Sequence, residues 1–325
     1  MTGPALIVAI LTYRRPGDLE AVLPLVLEQL DTVPMEGGVL VVDNDPDAGA
    51  RDQVLGCRNG RVRYVHEPRP GIAAARNRAL HEAAAVDLLV FIDDDERPSA
   101  GWLASLLATY EATRPAAVVG PVVSEYAVEP DAWVAAGRFF DRRRLPTGTE
   151  VTVAATNNLL LDVSQLGGLT FDERFGLSGG SDTLFSAQLA ARGARMVWCS
   201  EAMVTDWVPD TRTTRRWVLR RAFRSGNCWS RVTLEMAGGA RARVGRRAAL
   251  LLKGGVRVGG GGAQAFTGVC VRSASHRARG VRTVMRGAGM VTGALGYVFS
   301  EYRRDTHTKA GFMVPKTART PSPRP

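Results

Sequence analysis

The first 200 residues alternate between short, uninterrupted apolar runs and stretches of helical periodicity. The apolar runs lie at 6–11, 39–42, 62–65, 88–92, 117–123 and 195–199, and the helix-period stretches at 18–30, 72–85, 101–113 and 182–192. Val, Ile and Leu without polar alternation describe strands buried on both faces. Strand–helix alternation of this kind predicts an α/β fold, a mostly parallel sheet flanked by helices. Segment 124–150 breaks the rhythm with Pro130, Gly137, Arg142, Arg143, Arg144, Pro146 and Gly148, and reads as a long functional or mobile connection. Helical spacing resumes over 213–235, with Trp217, Val218, Ala222 and Phe223 on the apolar face. Beyond Gly238 the chain is basic and Gly-punctuated at 259–262, with short amphipathic pieces around 248–258 and 281–302. The expected organisation is an α/β domain over 1–235, a basic amphipathic helical extension over 236–312, and a disordered tail over 313–325.

Charge divides at nearly the same place. Residues 1–211 carry 18 arginines and no lysine against 29 Asp and Glu, whereas residues 212–325 carry 24 Lys and Arg against Glu235, Glu301 and Asp305 alone. An attached contact for an anionic surface explains this, and so does a general arginine bias in a chain with three lysines. The four cysteines are scattered with no C-x-x-C pair, matching neither a disulfide scaffold nor a zinc site, so a reducing compartment is expected. The N-terminus has no basic secretory region, and no apolar run approaches the ~20 residues of a membrane span. A cytoplasmic location follows as an expectation.

In an open parallel sheet, ligands gather beyond the carboxyl ends of the strands. There this chain places Thr12, Tyr13, Arg14 and Arg15, then Asp43, Asn44 and Asp45, and finally Asp93, Asp94, Asp95 and Glu96. Four consecutive carboxylates at the end of a buried strand repel one another, and a hard divalent cation, Mg²⁺ or Mn²⁺, offsets that cost through oxygen ligands. The same carboxylates also suit the start of a helix, since Pro98 fits a first turn before Trp102. No phosphate-binding glycine loop follows the first strand, which argues against a P-loop NTPase or a nicotinamide enzyme. With no Asp on that strand, an aspartyl phosphatase is excluded too.

An ordered set of segments now resembles family 2 glycosyltransferases of the GT-A fold, in particular the succinoglycan-type exopolysaccharide branch. They are Ile10–Pro16, Val41–Asp45, Gly71–Leu80, Phe91–Glu96 with Trp102-Leu103, Gly120–Val122, Thr156–Leu161, Phe171–Phe175, Gly179–Thr183, and Val208-Pro209 followed by Arg212. The resemblance covers residues 5–230 and makes 1–235 a catalytic domain. It implies a nucleotide-diphosphate-sugar donor, a UDP-sugar foremost, and a glycan or lipid-linked acceptor. Thr12, Tyr13, Arg14, Asp43, Arg76, Asn77, Asp93 and Asp94 would serve the donor, and Asp95 with Asp93 the metal. Arg76 and Asn77 also suit the exposed face of an Ala-rich helix. Asp182 would be the general base of a single in-line displacement that inverts the anomeric configuration, although an N-cap role explains it locally. Asn158, Ser181, Asp206 and Arg212 would lie near the acceptor or diphosphate. Two departures stand out: relatives often have Glu-Asp where this chain has Ser181-Asp182, and His or Glu where it has Asp206.

Arg212, Arg216, Arg220 and Arg224 fall on one helical face by i, i+4 spacing, which fits a solvated stripe or a contact with diphosphate or lipid headgroups. The basic rear half raises nucleic-acid binding as a rival, but a recognised motif is absent and the late aromatics make no interleaved stacking platform. A non-catalytic scaffold on the same fold is the other rival, and the intact Asp43, Asp93, Asp95 and Asp182 argue against it. The tail is expected to bind an anionic membrane surface, peripherally on the inner face of the plasma membrane.

Overall fold

The structure, a computed structural model, describes residues 5–300. In chain order its main elements are β1 (Leu6–Thr12), α1 (Pro16–Asp31), β2 (Gly37–Asp43), α2 (Arg51–Gly56), β3 (Val62–His66), α3 (Ile72–Glu82), β4 (Leu88–Asp93), β5 (Glu96–Pro98), α4 (Trp102–Thr113), β6 (Ala117–Val119) and β7 (Val122–Tyr126). There follow α5 (Ala132–Gly137), β8 (Asn158–Asp162), α6 (Ser181–Ala191), β9 (Met196–Trp198), β10 (Val204–Val208), α7 (Arg215–Glu235), α8 (Ala240–Cys270) and α9 (Ala274–Ala294). Seven strands form one sheet in the order β3-β2-β1-β4-β8-β6-β9, and β5-β10-β7 form a smaller one. In the large sheet only β8 runs against its neighbours, β4 and β6.

Alternation along β1 assigns the two layers. Leu6, Val8 and Ile10 pack with Leu19, Val22 and Val26 of α1 and with Trp102, Leu103 and Leu106 of α4. Ile7, Ala9 and Leu11 join Ala73, Ala75 and Ala79 of α3 and Phe185 and Leu189 of α6. Successive side chains point to opposite faces of a strand, so a continuous apolar run is what a sheet covered on both sides requires. The mostly parallel α/β architecture agrees with the sequence reading.

Three expectations need correction. The run at 117–123 is two strands in different sheets, because Gly120-Pro121 intervenes: a Cβ on Gly120 would sit 2.2 Å from the Ala202 carbonyl oxygen. The 124–150 connection contains helix α5, capped by the Asp131 side chain on the Val134 amide. The basic region holds two long helices of 31 and 21 residues instead of short pieces. The glycines at 259–262 run inside α8, and Gly261 lets α9 approach so closely that a Cβ there would lie 2.8 Å from the Gly280 carbonyl oxygen. The disordered tail expected at 313–325 lies outside the described residues.

Candidate active site

Parallel pairing aligns the sequence motifs at one rim. Thr12 is in register with Asp43, and Leu11 with Asp93, so the end of β1 lies between the acidic ends of β2 and β4. The Thr12 hydroxyl donates to Asp94 Oδ2 at 2.8 Å. Arg15, on the turn into α1, donates through Nη1 to Asp94 Oδ1 at 2.9 Å and to Asp95 Oδ2 at 2.7 Å. Arg212, from beyond β10, reaches the same Asp95 oxygen at 3.1 Å. Burial followed by the repulsion of Asp95 pushes the Asp93 carboxyl up to about 7, and burial likewise lifts Asp94 to about 6. Glu96 rises well above the usual carboxylate range through burial and the charge of Asp93. It receives hydrogen bonds from the Asp93 amide at 3.2 Å and from Asn157 Nδ2 at 2.6 Å.

Arg76 joins this cluster to the opposite wall. Buried on α3, its guanidinium stands 5.5 Å from the Phe171 ring centre and donates from Nη1 to the Ser181 hydroxyl at 2.8 Å, while its charge acts on Asp93. Ser181 opens α6 and is immediately followed by Asp182, whose Oδ1 accepts from the Thr183 amide at 2.7 Å. Gly179 and Gly180 lead into this turn with φ of +78° and +95°, a left-handed conformation that glycine adopts without a Cβ clash. Cys228 of α7 packs beneath it, its thiol donating to the Ser178 carbonyl at 3.2 Å. Asp182 is therefore held by a turn that α7 supports from below.

Other expected residues have their polar groups committed to the fold. Asp43 is fully buried and accepts from the Asp45 and Ala50 amides, both at 2.9 Å, and from the Tyr64 hydroxyl at 3.1 Å. Arg14, beside Tyr13, pairs with Asp45 and Asp47 at 3.0 and 2.8 Å. Asn77 clamps one backbone residue, donating to the Phe171 carbonyl at 2.9 Å and accepting from its amide at 2.7 Å. Asn158 spends its amide on the Trp102 indole and on the carbonyls of Pro121 and Ala202. Asp206 is buried and ion-paired with Arg142, and Asp206 and Glu96 are opposite one another in the β10–β5 pairing. Arg221 of α7 also faces this pair, pushed down to about 10 by burial and by Arg142 and Arg224.

Among the described residues no group of three or more His, Cys, Asp and Glu is arranged to hold a metal ion. The donor set still fits a hard cation whose coordination is completed by phosphate. It contains oxygen ligands only, and burial and mutual repulsion hold Asp93 and Asp94 above their ordinary range.

Residues 7–165 match the family model described as glycosyl transferase family 2. The succinoglycan biosynthesis protein ExoM of Rhizobium meliloti (strain 1021) is 34% identical over 296 residues, which span 89% of this chain and 92% of that protein. The chain belongs to glycosyltransferase family 2. Solved structures agree on the GT-A fold. A Pyrobaculum calidifontis mannosyltransferase, PcManGT, in complex with GDP-Man and Mn²⁺ superposes with a TM-score of 0.56 at 17% identity, covering 86% of each chain. GalNAc-T7 with UDP, GalNAc and Mn²⁺ gives 0.51 at 13% identity, covering 71% of this chain and 47% of its own.

Within this family 2 glycosyltransferase, sequence reasoning gave no role to three contributors to the rim. Arg15 had a signal, since it directly follows a strand end. Arg142 is one of three adjacent arginines, and nothing local distinguishes the one that turns inward. Asn157 sits in the Asn157-Asn158 pair, and only the antiparallel course of β8 reveals which amide faces Glu96.

Proposed function

We propose that this protein is a metal-dependent, inverting glycosyltransferase that moves a sugar from a nucleotide-diphosphate donor, a UDP-sugar first among candidates, to a glycan or lipid-linked acceptor in exopolysaccharide synthesis. The observation that carries this reading is Arg76, a buried guanidinium that donates to the Ser181 hydroxyl, next to Asp182, and whose charge acts on Asp93 of the acidic rim. Asp182 takes the proton from the acceptor hydroxyl; the resulting oxygen attacks the anomeric carbon opposite the departing diphosphate, and inversion follows from that direction of approach. Asp182 has one oxygen on the Thr183 amide, which fixes the carboxylate for this task. Arg15 and Arg212 stand at Asp95, where their charge favours the diphosphate as its negative charge grows. Asp95 and Asp93 would hold Mg²⁺ or Mn²⁺, which supplies Lewis-acid neutralisation of the diphosphate when bound.

The extension supports docking on an anionic bilayer. Among the described residues no helix is long and apolar enough to cross a membrane. The outer face of α8 exposes Leu252, Val256 and Phe266, each about 70% accessible, beside Arg246, Lys253 and Arg257. Basic amphipathic helices of this kind lie in the headgroup layer, which on this reading is the cytoplasmic face of the membrane.

Thermal-shift titration with UDP-, GDP- and dTDP-sugars, with and without Mn²⁺, tests the donor. A Mn²⁺-dependent rise with one nucleotide series is expected, and no response to any of them refutes the reading. Flotation with phosphatidylglycerol vesicles tests docking: Leu252→Glu/Phe266→Glu should stay behind where the wild type floats.

A further inference from the structure

A cleft of about 330 Å³ opens between α8 and α9, lined by Arg257, Gln264, Arg279, Arg282, Thr283 and Arg286. None of these belongs to the acidic rim or to the turn of Asp182. Four guanidiniums on two adjacent helices repel one another, and the sequence offers nothing to offset them locally: no Asp or Glu occurs between Glu235 and Glu301. Asp141, the acidic side chain that acts on Arg282 from outside the helices, is itself paired with Arg138.

Two of the cations, Arg282 and Arg257, are also held in place. Arg282 donates from Nη1 to the carbonyls of Gly137 at 3.1 Å and Arg138 at 2.6 Å, with its guanidinium 5.8 Å from the Phe139 ring centre. Arg257 has its stem against α9, where a Cβ on Gly287 would lie 2.9 Å from the Arg257 Cβ, beside Arg286. Glycine contacts at Gly254–Gly287 and Gly261–Gly280 prevent the helices from bearing bulkier spacers that would separate the charges. Burial and the charge of Arg286 push the Arg282 guanidinium below its ordinary value, and the pull of Asp141 does not make up for them.

We infer that this arginine cleft is a binding site for a compact phosphate polyanion, a diphosphate or a phosphomonoester headgroup. Guanidinium forks grip phosphate oxygens in pairs, and the Gln264 amide supplies a neutral donor at the same cleft, while the Thr283 hydroxyl donates to the Arg279 carbonyl at 2.9 Å. The chemistry is shared by soluble diphosphate and by a lipid headgroup, and Val256, exposed on α8 next to Arg257, would face the acyl region in the second case. The inference stands apart from the transfer reaction.

The test uses the full-length protein in EDTA. One arm is calorimetric titration with sodium pyrophosphate. The other is flotation with phosphatidylcholine vesicles with and without phosphatidate. Arg257→Gln/Arg286→Gln and, separately, Arg279→Gln alter exposed side chains and should melt as the wild type does. Arg15→Gln serves as the donor-site control. Pyrophosphate binding that survives in Arg15→Gln and falls at least tenfold in the cleft variants identifies a soluble ligand. Phosphatidate-dependent flotation lost in the cleft variants, without pyrophosphate binding, identifies the headgroup. If neither readout moves in either cleft variant, or if Arg15→Gln alone abolishes pyrophosphate binding, the inference is wrong.

Discussion

Asp93→Asn should make this protein more stable at pH 8 while disabling its proposed chemistry. The Asp93 carboxyl rises from an ordinary 3.8 to about 7, first because it is buried and then because Asp95 repels it. A carboxyl raised in the folded state binds protons that the unfolded chain has released, so stability falls as pH climbs from about 4 to about 7. At ~1.4 kcal/mol per pH unit, the charged side chain costs about 4 kcal/mol above that window. Relaxation around the charge halves this to ~2 kcal/mol, or a melting temperature about 4–8 °C higher for the Asn variant. Thermal melts of both proteins in EDTA at pH 8 and pH 4 provide the assay, with the gap expected at pH 8 and nearly closed at pH 4. An Asn variant that melts at or below wild type at pH 8 would refute the claim that the rim is electrostatically strained.

Asp182→Asn keeps an oxygen for the Thr183 amide, so melting should be unchanged while turnover drops about 10²–10⁴-fold and donor affinity, read by calorimetry, holds. Activity within threefold of wild type removes Asp182 as the base. Gly289→Ala places a Cβ 1.9 Å from the Phe223 carbonyl oxygen, and should cost about 1–3 kcal/mol in denaturant titration by forcing α7 and α9 apart. Asn77→Ala removes both hydrogen bonds to Phe171 and should cost about 1–3 kcal/mol; a larger effect on donor affinity than on unfolding would return Asn77 to the donor pocket.

The parallel half of the fold was legible because burial on both faces writes itself as continuous apolar runs, and because strand ends carry their polar cargo in sequence: Thr12, Asp43 and Asp93 are aligned by pairing alone. Contacts between distant segments were not legible. Arg76 and Asn77 are neighbours on one helix, yet one reaches Ser181 while the other clasps the Phe171 backbone, a division set by the rotation of α3 against the loop at 171–176. Helices α8 and α9 were obscured for a different reason. Glycine is read as a helix breaker when intrinsic propensity is all one has, whereas here Gly254, Gly261 and Gly280 sit where two backbones meet and a side chain has no room. Tertiary contact overrides propensity at those sites.

Gly226 and Gly289 place α9 directly on the backbone of α7, and α7 in turn carries Cys228 under the turn that presents Asp182. Bare backbones in contact have no side-chain rotamers with which to absorb a displacement. A displacement of the C-terminal hairpin would bear on α7 and so on the floor beneath the proposed base, Asp182. The hairpin and the reacting end of the molecule thus share one stiff chassis, and a graft that kept the sheet but exchanged these helices would disturb the alignment of Asp182 even with every rim carboxylate intact.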